Sequence, residues 1–299
     1  MSDDASPRSS WTVLEILRWT TDYFKKQGIE SARVDAEVLL SEILELERIE
    51  LYAHFDRPMS PDERSAYRAL VKRRARREPS AYIVGRREFW SLDIRVDDRV
   101  LIPRPDTETL VRTALDYIDA EDTGRLVDIG TGSGAIALAL ATERPELQIA
   151  ATDNDADALE VAADNVDAHE LGDTVELLAS DLFDGIPDDW LPLDYVVSNP
   201  PYIAESERPE LQPEILDYEP ADALFAGDDG LDVIRRLVVD AYQALRPGGV
   251  LLFEIGHQQG EATKKLLDDA GFEDVDIVLD YGDRDRVAVG KKPGDESSD

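Results

Sequence analysis

Cysteine is absent from the 299 residues, which removes disulfide frameworks, thiolate zinc sites and cysteine nucleophiles together. Histidine is nearly as scarce. His54, His169 and His257 stand at no ligand spacing from one another, so no metal is expected. Long apolar runs are missing too: no window approaches 18 uncharged apolar residues. The opening Met1-Ser-Asp-Asp carries acid where a signal peptide carries base before an apolar stretch, so export is not expected. The expectation is a soluble, cytoplasmic chain with no membrane contact.

Positive charge is also in short supply. Lysine and arginine total 32 against 66 acidic residues, a formal net charge of −34. Such a field repels naked nucleic acid, so no direct nucleic-acid partner is expected. The acid is dispersed along the whole chain, and lysine occurs only at Lys25, Lys26, Lys72, Lys264, Lys265, Lys291 and Lys292. Dispersed carboxylates repel one another in dilute buffer, and molar salt removes the penalty by shortening the Debye length to about 3 Å. The composition therefore points to a halophilic protein. What remains, 42% hydrophobic residues, suffices for one large or two modest domains.

The first 80 or so residues carry a helical period. Trp11, Leu14 and Leu17, then Val38, Leu39, Ile43 and Leu44, recur three and four apart, with Gly28 placed to stop the first helix. Ser60-Pro61-Asp62-Glu63 predicts a third helix with a reciprocal capping box. Arg73, Arg74, Arg76 and Arg77 close that helix, either as cations suited to its negative end or as a partner-binding patch. Residues 86–102 alternate as strands around Asp97-Asp98 and predict a hairpin between two domains.

From residue 107 helices and strands alternate. Strands are predicted at 125–129, 148–152, 175–178, 193–198 and 250–255, and two more near 274–279 and 286–290. Helices are predicted near 107–119 and at 134–143, 156–169, 231–245 and 258–270. This order specifies an α/β fold with a doubly wound, mostly parallel sheet and an antiparallel edge.

Val127-Asp128-Ile129-Gly130-Thr131-Gly132-Ser133-Gly134 runs from an apolar strand into a helix, where glycines let a ligand approach the backbone. Asp153 ends the next strand, placed to accept both hydroxyls of a ribose. The Gly-x-Gly-x-Gly spacing, with Asp128 two residues ahead, resembles the S-adenosyl-L-methionine loop of class I methyltransferases rather than a dinucleotide loop. A carboxylate near a sulfonium and an amino acid is helpful, whereas near a pyrophosphate it is costly; the plain alternative for Asp128 is a helix cap. Asp181 and Leu182 follow the third strand, where such folds place the adenine. Asp181 is otherwise an ordinary solvated acid.

After the strand ending at Ser198 comes Asn199-Pro200-Pro201-Tyr202, at the carboxyl end where open sheets put their sites. A planar nitrogen is a poor nucleophile because its lone pair is delocalised. The Asn199 side-chain oxygen and the Pro200 carbonyl can accept its N–H bonds and favour the geometry of attack, while Tyr202 stacks on the planar group.

Ile102-Pro103-Arg104-Pro105-Asp106-Thr107-Glu108, the loop 127–134 and the turn 197–202 together resemble the release factor glutamine methyltransferases, the HemK or PrmC family. The likeness extends to Tyr82-Ile83-Val84-Gly85 and the 86–89 entry into the hairpin. It implies a Rossmann-like domain behind a small helical bundle. It also implies methyl transfer from S-adenosyl-L-methionine to the side-chain nitrogen of the glutamine in the Gly-Gly-Gln motif of class 1 peptide chain release factors. By the same resemblance Arg104, Glu108, Asn199, Pro200, Pro201 and Tyr202 hold the substrate, and 253–256 ends a strand nearby. Leu182 departs from members that carry an aromatic residue there.

The expected division is a substrate-recognition domain at 1–85, a hairpin linker at 86–102, a catalytic domain at 103–292 and a disordered tail at 293–299, in a monomer. Two alternatives stand beside this reading. One is an adenine-N6 DNA methyltransferase, disfavoured by the absence of an inserted target-recognition domain. The other is a non-catalytic release factor or ribosome adaptor, disfavoured by the intact turn.

Overall fold

Amphipathic spacing at the front of the chain folds as helices in the computed structural model, which describes residues 11–294; from residue 295 the tail expected to be disordered lies outside the described residues. Helix α1 (Val13–Lys26) opens on a capping box between Thr12 and Glu15. It ends where Gly28 adopts φ 74° and the Ile29 amide returns to the Phe24 carbonyl at 3.1 Å. Then come α2 (Ala32–Leu44), short α3 (Glu50–Ala53), α4 (Pro61–Arg74) and short α5 (Ser80–Val84). The Ser60–Glu63 capping box forms at the start of α4. Leu17, Phe24, Leu39, Leu40, Tyr67 and Val71 meet in one core.

The arginine cluster has structural work inside this unit. Arg74 is buried and pairs with Asp35 at 2.7 Å, and the other Asp35 oxygen accepts from Ser80. Arg73 chelates Glu78, and Arg77 donates to the carbonyls of Gln27 and Gly28. These side chains tie α2, α4 and α5 together, which neither sequence-level alternative anticipated.

The chain divides into two compact units, Met1–Gly85 and Arg86–Asp299. The second opens with an antiparallel pair, β1 (Arg86–Phe89) and β2 (Leu92–Arg95). Its turn is Trp90-Ser91, at φ 51° and 60°, not Asp97-Asp98. Positive φ at both central positions is the type I′ pattern, and without Asn-Gly or Asp-Gly the sequence gives no sign of it. Here the turn is held from outside: the Trp90 amide donates to Glu108 at 3.1 Å and its indole N–H to Glu143 at 2.8 Å.

Then follow α6 (Glu108–Tyr117), β3 (Arg125–Ile129), α7 (Ala135–Glu143), β4 (Gln148–Asp153), α8 (Ala156–Ala168), β5 (Val175–Ala179), β6 (Leu193–Ser198) and α9 (Pro213–Tyr218). Last come α10 (Asp232–Ala244), β7 (Leu245–Glu254), α11 (Gly260–Ala270), β8 (Glu273–Leu279) and β9 (Asp285–Lys291). One sheet runs β5-β4-β3-β6-β7-β9-β8. Strands β3 to β7 are parallel, and β9 is antiparallel to both of its neighbours. Alternate residues of β3 face opposite ways. Val127 and Ile129 join a cluster with Ile234 and Leu237 of α10 and Leu267 of α11, while Asp128 faces the start of α7.

Candidate active site

The strand order reverses between β3 and β6, which opens a crevice at their carboxyl ends. Ile129 is the register partner of both Thr152 and Ser198. The glycine loop, Asp153 and Asn199 therefore leave three adjacent strands at one level.

Gly130, Gly132 and Gly134 have φ of 70°, 55° and 82°, a region L side chains rarely enter. A Cβ on Gly130 or Gly132 would meet nothing within 4 Å, so the backbone there faces open space. Thr131 donates its amide to the Thr152 carbonyl at 2.8 Å, and the buried Ser133 gives its carbonyl to Asn165. Asn165, itself fully buried, also exchanges two hydrogen bonds with the Arg95 backbone, tying β2 to the loop.

Asp128 is completely buried. Its Oδ2 accepts from the Thr131 hydroxyl at 2.6 Å and the Ala137 amide at 3.3 Å, which is the capping role. Its Oδ1 is buried with no partner. Burial pushes its pKa up to about 7, against the pull of those two donors. An unsatisfied buried acceptor beside open glycine backbone fits a ligand that brings a cationic donor. Asp153 is half-buried, with one oxygen on the Gly132 amide at 2.9 Å and the other on Asp155 at 3.0 Å; burial raises its pKa as well. Each oxygen keeps a further lone pair. Asp181 is exposed and paired with Arg236 at 3.0 Å, and Leu182, at φ 51°, is buried in the core cluster.

In the turn, Asn199 Nδ2 donates to the Thr107 hydroxyl at 3.3 Å. Pro200 is buried and Pro201 half-buried. The Tyr202 hydroxyl donates to Glu254 at 2.9 Å, and burial together with that carboxylate holds its pKa far above normal. The Tyr202 carbonyl accepts from Gln259 at 2.9 Å and lies where a Cβ on Gly230 would meet it at 2.2 Å. Glu254 sits under the turn, close to Arg286 of β9, which also pairs with Asp280 and Asp106.

The segment 104–108 is clamped at every polar side chain. Arg104 pairs with the buried Glu219, Asp106 with Arg286, Thr107 with Asn199, and Glu108 with the Trp90 amide. Thr107 thus adjoins Asn199, whereas the carboxylate of Glu108 is engaged by the hairpin. Glu219, Gln259, Asn165 and Thr107 escape sequence reasoning. The first three are ordinary polar residues far away in sequence, and Thr107 stands inside a quoted motif with no signal of its own.

A glycine loop on the central strand of a doubly wound sheet, one strand away from an Asn-Pro-Pro-Tyr turn, defines a methyltransferase of class I. Residues 15–85 match the PrmC N-terminal domain family and residues 107–221 the methyltransferase small domain. A release factor glutamine methyltransferase of Rhodopirellula baltica is 43% identical over 289 residues, covering 95% of this chain and 97% of that one. One from Xylella fastidiosa is 47% identical over 269 residues, covering 88% and 94%. The crystal structure of a methyltransferase from Pyrococcus furiosus shares the fold at a TM-score of 0.50 and 18% identity, covering 68% of this chain and 89% of that one. The chain belongs to the release factor glutamine methyltransferase family.

Proposed function

We propose that this chain transfers the methyl group of S-adenosyl-L-methionine to N5 of the glutamine in the Gly-Gly-Gln motif of class 1 peptide chain release factors, with S-adenosyl-L-homocysteine as the other product. The observation that carries the reading is adjacency: the partnered ends of β3 and β6 send the glycine loop and the Asn199 turn into one crevice. Family membership supports the substrate, since the relatives are named for it.

Bound S-adenosyl-L-methionine supplies a methyl group on a positively charged sulfur. Asp128 Oδ1 takes the ammonium of its amino-acid end, beside the backbone of Gly130, Thr131, Gly132, Ser133 and Gly134. Asp153 takes the ribose hydroxyls, and Asp181 and Leu182 border the adenine. Asn199 also flanks the cofactor. Its Oδ1 and the Pro200 carbonyl accept the two N–H bonds of the substrate amide, Pro201 stiffens the turn, and the pinned Tyr202 ring stacks on the amide plane. Arg104 and Glu108 shape the wall of the same cleft through Glu219 and the hairpin. The amide nitrogen sheds its proton as the new bond forms, so solvent suffices as acceptor and no histidine is needed.

Residues 1–85 recognise a second surface of the release factor, a linker at 86–102 that opens with the β1–β2 hairpin follows, and 103–292 carry out the transfer. Support comes from a groove of 340 Å³ in the helical unit, lined by Trp11, Trp19 and Tyr23 of its front and by Arg64, Arg68 and Lys72 of α4. These three cations, four residues apart, form no ion pair among the described residues, in a chain with twice as many acids as bases. They suit an acidic surface with an apolar anchor. The protein works as a monomer in a salty cytoplasm and contacts no nucleic acid or membrane; no described helix is long and apolar enough to cross one.

Mass spectrometry of the Gly-Gly-Gln peptide after incubation with cofactor tests the reading. One added methyl on the glutamine, absent with Asn199→Ala, is expected. An unmodified peptide alongside methylated adenine in DNA would replace it with the DNA-enzyme reading.

A further inference from the structure

We propose that Gln259 is a positioning residue for methyl transfer: its carboxamide ties the Tyr202 carbonyl to the segments beside it and so fixes the Asn199-Pro200-Pro201-Tyr202 turn. The proposal rests on the glutamine methyltransferase reading above. A proline has no N–H, so two of the four residues in this turn have no backbone hydrogen to donate. The tether runs through a carbonyl instead. Among the described residues, the carbonyls of the turn receive one side-chain hydrogen bond, from Gln259 Nε2 to Tyr202 at 2.9 Å.

Gln259 stands just before α11, and its partners fix which way the carboxamide points. Its Oε1 accepts from the Gly256 amide at 2.8 Å, past the end of β7. Its Nε2 faces the Gly230 and Asp229 carbonyls, at 3.3 and 3.4 Å, as well as that of Tyr202. An amide N–H only donates and a carbonyl only accepts, so turning the group over would oppose like with like at every contact. The fit is close on both sides. A Cβ on Gly256 would meet Oε1 at 3.0 Å, and one on Gly230 would meet Nε2 at 2.9 Å and the Tyr202 carbonyl oxygen at 2.2 Å.

Tyr202 is thereby held at two ends, its carbonyl by Gln259 and its hydroxyl by Glu254 at 2.9 Å. One bond alone would leave the ring free to swing about the other end. Two consecutive prolines with fixed φ make the segment stiff, so a hold at Tyr202 also sets the Pro200 carbonyl and Asn199. These are the groups that meet the substrate amide.

Gln259→Met keeps the length and removes both hydrogen-bonding ends, whereas Gln259→Glu keeps the oxygen for Gly256 and makes the donor titratable. On intact release factor, Gln259→Met should lower kcat about tenfold to hundredfold with cofactor Kd within about twofold. For Gln259→Glu the sign depends on pH. The ionised carboxyl sets an oxygen against three carbonyls, which raises its pKa above the usual value of about 4.3, and the protonated form donates to Tyr202 again. Its kcat relative to wild type at the same pH should therefore climb as pH falls from about 9 toward about 5, while the ratio for Gln259→Met stays level. NMR of ring-labelled tyrosine, with the Tyr202 signal assigned by its loss in Tyr202→Phe, reports independently of turnover. That signal should shift in Gln259→Met and move with pH in Gln259→Glu. Unchanged kcat in Gln259→Met, a level ratio in Gln259→Glu, or a Tyr202 signal unmoved in both overturns the proposal. So does a loss of kcat matched by cofactor Kd and Tm in both variants at every pH, which marks general structural damage. Should the wild type leave the release factor unmethylated, the functional reading falls, and the Tyr202 signal still decides whether Gln259 holds the turn.

Discussion

The two oxygens of Asp128 have different fates, one capping α7 and the other buried without a partner. This asymmetry makes the site sensitive to pH. The carboxyl titrates near 3.8 when exposed and at about 7 in the fold. A raised acid pKa means that the stability contributed by this group is full below the unfolded value and is lost as pH climbs through the folded one. A cationic ligand at Oδ1 favours the ionised form, so S-adenosyl-L-methionine should bind more tightly as pH rises through about 7. Calorimetry on either side of that pH checks this, and Asp128→Asn should flatten the dependence. A second pair of substitutions separates binding from chemistry. Asn199→Ala should abolish nearly all transfer with little change in cofactor Kd. Asp153→Ala should weaken the cofactor by about 1.5 to 3 kcal/mol for each charge-assisted hydrogen bond lost. Retained turnover in the first, or an unchanged Kd in the second, would reassign those residues.

Among elements, the hairpin and α8 bear on the cofactor loop through Asn165, which bonds both Arg95 and Ser133. Asn165→Ala leaves buried backbone groups unsatisfied, at about 1 to 3 kcal/mol each, and should lower both Tm and cofactor affinity. A drop in Tm with unchanged affinity would confine Asn165 to scaffolding. Which elements exist was legible from periodicity: the α4 capping box, the glycine loop and the alternation after residue 107 all fold as their residues specify. Strand ends were less so. Arg246-Pro-Gly-Gly has the composition of a turn, yet β7 begins at Leu245 because Leu245 pairs with Leu193 across a register shift. Helix α9 carries too few residues for a period to show. The clamps on residues 104–108 were illegible for a different reason. Their partners, Glu219, Arg286, Asn199 and Trp90, lie 18 to 180 positions away in the chain, and only the fold brings them together.

For the molecule as a whole, charge and division into units set the predictions. Thermal melts in about 0.1 M and in molar KCl should differ by many degrees, the saltier solution being more stable, because screening relieves repulsion among carboxylates. A Tm indifferent to salt would give the acidity another cause. Reversing two groove cations, Arg68→Glu with Lys72→Glu, should raise KM for intact release factor and leave turnover of a short Gly-Gly-Gln peptide unchanged. Equal kinetics on the intact factor would remove the groove from recognition.

Strand β9 pairs between β7 and β8 although it is the last of the described strands in sequence. Its Arg286 supplies the cation facing Glu254 beneath Tyr202. Synthesis proceeds from the amino end, and segments organise in that order as they emerge. A nascent chain extended through β7 already possesses the glycine loop, Asp153 and Asn199, yet the carboxylate under its turn has no counter-ion. Competence to bind cofactor should therefore arise earlier in biogenesis than competence to hold the catalytic turn, so that a stalled or truncated chain would capture the cofactor without reacting.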